Sequence, residues 1–240
     1  MAGTPVKVTR DNRATPITRA RSAGSVNRDI SAVRAALNHA HDMGHTTSDM
    51  AWRVALRPAK NADRRRDVYL DIGQRRALID KAAVDVAKLL HGLALVPLRP
   101  GALAALTVSS LDPRLGVLLV GKDKAGRDRK IKLPHATAQF FSIQAKGKTP
   151  NAPLLSRTDG KAWDKDAWKW PIKDAARAAK LPADTTCYAM RHSVITDLVT
   201  GGLDLLTVAL LSGTSVAMIE RHYGHLRAEH AAAALATLAL

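Results

Sequence analysis

The chain has a single cysteine, Cys187, so it can form no internal disulfide. That fits a reducing compartment, and the cytoplasm is the expected location. Long apolar runs are also missing. Leu89 to Leu98 and Ala231 to Leu240 fall short of the ~20 residues that cross a bilayer, and His91, Arg99 and Glu229 interrupt or flank them. No membrane span is therefore expected. Lys7 and Arg10 have no apolar stretch behind them, so no secretory signal is read at the start of the chain. There is no internal repeat and no cluster with metal-ligand spacing, so neither a metal nor another cofactor is expected.

Acidic residues are scarce as well, at 21 Asp and Glu against 37 Lys and Arg in 240 residues, which gives a net charge of +16. The pI is near 10.5. A field of that sign concentrates polyanions and speeds their association, so nucleic acid is the leading class of partner. Residues 1 to 66 carry 13 basic and 5 acidic side chains, and the remainder carries 24 and 16, so positive charge is densest in the first quarter. With 46% hydrophobic residues, the chain can build one good core, or one core and a smaller appendage.

Residues 1 to 24 are polar and lack apolar periodicity, and so read as an extended or disordered arm. Val26, Ile30, Val33, Leu37 and Ala40 then recur at helical spacing, with Gly44 placed to end the helix in a left-handed cap. A shorter helix is expected over Thr47 to Ala55. Two helices cannot enclose a core, so this region either docks elsewhere or is part of a larger helical domain. The run Arg64-Arg65-Arg66 reads as a linker, dividing residues 1–66 from 67–240.

Beyond the linker, Asp71 and Gln74 have capping-box spacing ahead of a helical pattern, and a second helix is expected over Val84 to Leu95. Pro100 restarts a helix at its first turn. Gly116 to Val120 reads as a strand, Gly121 to Gly126 as a charged hairpin loop, and Arg129 to Leu133 as the returning strand. In that strand Lys130 and Lys132 alternate with Ile131 and Leu133 to give one basic face. Helical patterns follow at His135 to Ala145, Pro171 to Ala179, Tyr188 to Thr200, Leu205 to Leu211, Val216 to His222 and Glu229 to Leu238. Trp163, Trp168 and Trp170 are read as core or rim packing, and Cys187 as a small buried residue.

Four segments of the second part stand out. They are Leu98-Arg99-Pro100-Gly101-Ala102-Leu103, the hairpin Lys124-Ala125-Gly126-Arg127-Asp128-Arg129, and Tyr188-Ala189-Met190-Arg191-His192. The last is Leu211-Ser212-Gly213-Thr214-Ser215 with Tyr223 ten residues after the glycine. In order and spacing they resemble the catalytic boxes of the tyrosine recombinase (phage integrase) family. The resemblance covers about Val68 to His225, and Val26 to Met43 is similar to the end of the family's helical core-binding domain, here short. It implies an α+β fold, mainly α with a small antiparallel β-sheet, preceded by a partial helical core-binding arm.

The resemblance further implies a DNA strand transferase that cuts and rejoins double-stranded DNA at a specific site, for integration or excision of a mobile element. Tyr223 would be the nucleophile and would form a 3′-phosphotyrosyl link needing neither ATP nor a metal. Arg99 and Arg191 would clamp the phosphodiester, since planar guanidinium forks can bind two oxygens at once. Lys124 would protonate the departing 5′ oxygen, with Lys122 as second choice. The family pattern is departed from at Tyr188, where His or Lys is usual, at Thr214, where His or Trp is usual, and at Ala102, where an acid is usual. Tyr188 and Thr214 can still donate hydrogen bonds to phosphate, and both are counted in the site. His192, His222 and His225 are read as supporting the fold or flanking the phosphate. The uncharged tail, Ala231 to Leu240, would pack on a neighbouring protomer in a tetrameric assembly on DNA. Two other readings stand beside this one: a degenerate recombinase that binds DNA without recombining, and a helical DNA-binding protein with no chemistry.

Overall fold

A computed structural model describes residues 6–8, 17–19, 21–60, 62, 68–122, 128–227 and 236. The chain divides into two compact units, Met1–Arg65 and Arg66–Leu240.

The first unit opens with two short antiparallel strands, β1 (Val6–Val8) and β2 (Ile17–Arg19), paired in the register Val6 to Arg19. Paired strands were not anticipated in a segment without periodicity; Val6, Val8 and Ile17 are the β-branched residues that favour them. Helix α1 (Ala23–Asp42) starts where the Ser22 side chain accepts the Ser25 amide, and it ends before Gly44, whose φ of 77° fits the left-handed turn. The shorter α2 (Met50–Ala55) begins three residues later than its pattern suggested.

Neither helix buries a residue. Val26, Ile30, Leu37, Trp52 and Leu56 are half-buried, and polar contacts add to the unit. Asn27 exchanges two 2.9 Å hydrogen bonds with the backbone of Ala59, Trp52 Nε1 donates to Asn38 Oδ1 at 2.8 Å, and Arg34 donates to the Leu56 carbonyl.

The second unit is mainly helical around a three-stranded antiparallel sheet. Asp71 and Gln74 form the expected capping box at the head of α3 (Ile72–Asp80). The apolar α4 (Val84–Leu95) follows, and then α5 (Pro100–Ala104) with proline in its first turn. Gly92 lets these two helices approach: a Cβ there would stand 2.9 Å from Leu155 Cδ1 and 3.1 Å from Leu103 Cδ2.

Strands β3 (Leu111–Asp112), β4 (Val117–Lys122) and β5 (Asp128–Lys132) form the sheet in that order, with Leu118 opposite both Leu111 and Ile131. Alternation does what the sequence implied: Ile131 and Leu133 are buried, while Lys130 and Lys132 face solvent.

Helices α6 (His135–Ala145), α7 (Lys169–Ala178), α8 (Cys187–Thr200), α9 (Leu205–Ser212) and α10 (Val216–Tyr223) complete the unit. Helix α7 starts before Pro171, which the first turn tolerates because its missing N–H would be unpaired there anyway. Trp163 is buried in the core and Trp168 packs on it, whereas Trp170 is a rim residue with Lys169 and Lys173 over its ring.

A large hydrophobic cluster joins α3 to α5, the sheet, α6, α7 and the first half of α8. A smaller one joins the second half of α8 to α9 and α10. The front edge of the unit is stitched to α8. Tyr69 donates to Asp197 Oδ1 at 2.9 Å, the Leu70 amide donates to Ser193 Oγ at 2.8 Å, and the buried Arg75 pairs with Asp197. The expected helix Glu229 to Leu238 lies outside the described residues, Ala236 excepted. Among the described residues no helix is long and apolar enough to cross a membrane.

Candidate active site

The site forms around the C-terminal end of α9. A helix leaves its last carbonyls without intrahelical partners. Here Gly213 adopts the left-handed conformation, with φ 66° and ψ 48°, so that its amide returns to Leu210 and the Thr214 amide to Ala209 at 3.0 Å. This is the doubly bonded helix stop that glycine favours. The carbonyls of Ser212 and Gly213 are left pointing out of the helix, at the negative end of its dipole.

Two arginines take them. Arg99 caps α5 in the extended conformation expected of a residue before proline, and its Nη1 donates to the Gly213 carbonyl. Arg191, on the buried face of α8, is only 8% exposed. Its Nη1 donates to the Ser212 carbonyl at 2.9 Å and to the Pro97 carbonyl, two residues before Arg99. One guanidinium thus ties the α4–α5 loop to the end of α9.

Burial pulls Arg191 down from the usual arginine range to about 10, with the nearby Arg99 and Arg129 adding to the effect and Tyr223 and Tyr188 opposing it. It stays charged at neutral pH.

Tyr223 ends α10 and is 9% exposed. Its hydroxyl lies 2.9 Å from Nδ1 of His192, the residue after Arg191, and the two rings stack at a tilt with centroids 5.2 Å apart. Tyr188 lies one helical turn before Arg191 and is 40% exposed, near enough for its phenol to favour the charged guanidinium. Thr214 is held by its own amide at the corner between α9 and α10.

Arg99, Arg191 and Thr214 are thus gathered at the end of α9, and Tyr223 and Tyr188 lie within electrostatic reach of Arg191. Lys124 lies outside the described residues; Lys122 is the exposed last residue of β4.

Two neighbours carry no catalytic role in the sequence reading. His192 is read there as supporting the fold or flanking the phosphate, and Arg129 only as the end of the hairpin box. Arg129 on β5 lies directly against Gly213, where an added Cβ would come within 2.6 Å of its Cζ and closer still to Nη1. Among the described residues no group of three or more His, Cys, Asp or Glu side chains could hold a metal ion.

The model of the phage integrase family matches residues 76–230, more than half of the chain. The chain belongs to the phage integrase family. No curated relative matches the sequence. Solved structures with the same fold include the Tn1549 transposon integrase in complex with transposon right end DNA. It has 18% identity and a TM-score of 0.73, with 92% of this chain and 81% of that one covered. A lambda integrase dimer bound to a COC′ core site has 18% identity and a TM-score of 0.64, with coverages of 82% and 74%. The XerA recombinase has 19% identity and a TM-score of 0.56, with coverages of 85% and 82%. Each is a family structure to which this chain is similar in fold, and the mainly helical architecture with a small antiparallel sheet is that of the family.

Proposed function

We propose that this member of the family is a site-specific recombinase that cleaves and rejoins double-stranded DNA, in the integration or excision of a mobile element. What carries the reading is the Tyr223 hydroxyl, held 2.9 Å from His192 beside the guanidinium of Arg191, with Arg99 on the same helix end. The similar integrases solved with DNA support double-stranded DNA as the substrate, as does a net charge of +16.

In this reading the Tyr223 oxygen attacks phosphorus, the bond to the 5′ oxygen breaks, and the phosphate stays on the tyrosine through its 3′ ester. Arg99 and Arg191 bind the non-bridging oxygens, whose negative charge grows in the transition state. His192 is in place to accept the tyrosine proton, and Lys124 supplies one to the departing 5′ oxygen. Tyr188 and Thr214 donate hydrogen bonds to the phosphate. Attack by a new 5′ hydroxyl on the phosphotyrosine reverses the step, so joining consumes no ATP.

A half-site nicked just beyond the cleavage position tests this directly, because the released fragment diffuses away and traps the intermediate. Accumulation of a covalent complex through Tyr223 is the expected result. Tight, site-selective binding without a complex would identify a degenerate member, and binding without site preference a helical DNA-binding protein lacking chemistry. The tail 231–240 is assigned to docking on a neighbouring protomer, coupling a tetramer on DNA in the cytoplasm. Its deletion should spare single-site binding and abolish cooperative filling of paired sites; retained cooperativity would place the tail on its own domain.

A further inference from the structure

We propose that Arg129 is a third phosphate-binding residue of the site, completing with Arg99 and Arg191 a cradle for one phosphodiester; the substrate is that of the recombinase reading, on which the proposal rests. The first observation is the position of Arg129 on the Gly213 turn, whose carbonyl holds Arg99. The side chain crosses from β5 to the far end of α9, a reach of 84 residues in sequence. It passes over the one residue of the turn that has no side chain to obstruct it.

A second observation is an unmet donor. The Nε of Arg129 is buried and has no hydrogen-bond partner among the described residues. Buried polar groups are nearly always bonded, and one that is not calls for a partner such as an ion or a ligand. A guanidinium donates and never accepts, so the partner must bring lone pairs.

The charges around it point the same way. Burial pulls Arg129 down from the usual arginine range, and the nearby positive charge of Arg99 adds to the effect. Arg191 feels both. Three other arginines of the unit have carboxylate partners: Arg75 with Asp197, Arg157 with Asp159 and Arg177 with Asp174. No described carboxylate reaches Arg99, Arg129 or Arg191, and the carbonyls that hold two of them are neutral. Three cations gathered without a counter-charge suit an arriving anion. The planar fork fits two phosphate oxygens at once.

The test uses the full chain with a single recombination half-site, comparing wild type with Arg129→Gln and Arg129→Lys. Affinity measured across a range of salt should show the Gln variant with a slope shallower by about 1, the signature of one lost phosphate contact. The Lys variant should keep the wild-type slope. Trapped-complex formation by either variant should fall by ~100-fold, the scale of a lost transition-state donor.

Replacing one non-bridging oxygen of the scissile phosphate with methyl should shrink the Arg129→Lys defect about tenfold, as expected when two altered groups touch. An unchanged salt slope in the Gln variant, or an equal Lys defect on the charged and neutral phosphates, overturns the proposal. If Arg129→Gln does not fold, the Lys comparison decides alone. In a chain that forms no covalent complex at all, the recombinase reading falls and the salt slope still decides for Arg129.

Discussion

Leu90 and Val208 are both fully shielded from solvent, yet they sit in hydrophobic clusters of very different extent. The larger cluster carries the loop of Arg99 and the stretch of α8 before and including Met190. The smaller has Ile195, Val199, Val208, Ala209, Ile219 and Tyr223 as its buried members. The two arginines assigned to clamp phosphate are thus mounted on or beside the broad scaffold, and Tyr223, with Thr214, on the narrow one. Arg191 bridges the two through Pro97 on one side and Ser212 on the other. Segments with few buried contacts open at lower cost than the main core.

The division of labour is sharpest if each side is disabled separately. Tyr223→Phe should abolish the covalent complex on the nicked half-site while leaving single-site affinity almost unchanged, because only the attacking oxygen is lost. Adduct persisting on a denaturing gel would move the nucleophile elsewhere. On the clamp side, Arg99→Ala or Arg191→Ala should slow trapping by at least ~100-fold. Arg191→Lys should rescue poorly, since lysine lacks the two-pronged geometry; near-normal rates would break the comparison at its bridge.

Smaller effects test the two scaffolds themselves. Leu90→Ala in the broad cluster should cost about 2–5 kcal/mol in denaturant unfolding, and Ile219→Val in the narrow one about 0.5–1.5 kcal/mol. Amide exchange should be faster in α9 and α10 than in α4, and equal protection would show a single cooperative core instead. The mildest probe is Cys187, whose thiol burial pushes up to about 12. Its reaction with iodoacetamide at pH 8, followed by mass spectrometry, should be negligible in the folded chain and prompt after unfolding.

Much of this arrangement could be read from sequence because its signals are local. The Asp71–Gln74 box, Pro100 at the head of α5 and the run of α4 act within a turn or two, and all are found. Helix α2 was drawn too long, since Thr47 and Ser48 fit a cap as well as Asp49 does.

The site was legible where residue identity and spacing carry it, at Arg99, Arg191 and Tyr223. It was not legible where packing makes the contact. His192 and Tyr223 are 31 residues apart and meet only because α10 folds back on α8. Nor can any pattern announce the Ser212 and Gly213 carbonyls, because backbone groups carry no residue identity. The hairpin arginine stands in its quoted box, but its contact with the bare Gly213 at the end of α9 is again one that packing makes.

The stitches at the front edge of the second unit bear on where the chain can be cut. A segment tolerates trimming according to what its backbone and side chains hold, not its nearness to an end. Removal of everything before Val68 leaves the Tyr69 phenol, the Leu70 amide and the Arg75 pairing in place on α8. Removal through Leu70 takes two of the three, strips Ser193 of its donor inside the protein and leaves Asp197 to Arg75 alone. A shift of three residues in the cut therefore separates a second unit that keeps all three ties to α8 from one that keeps only the Arg75 pairing.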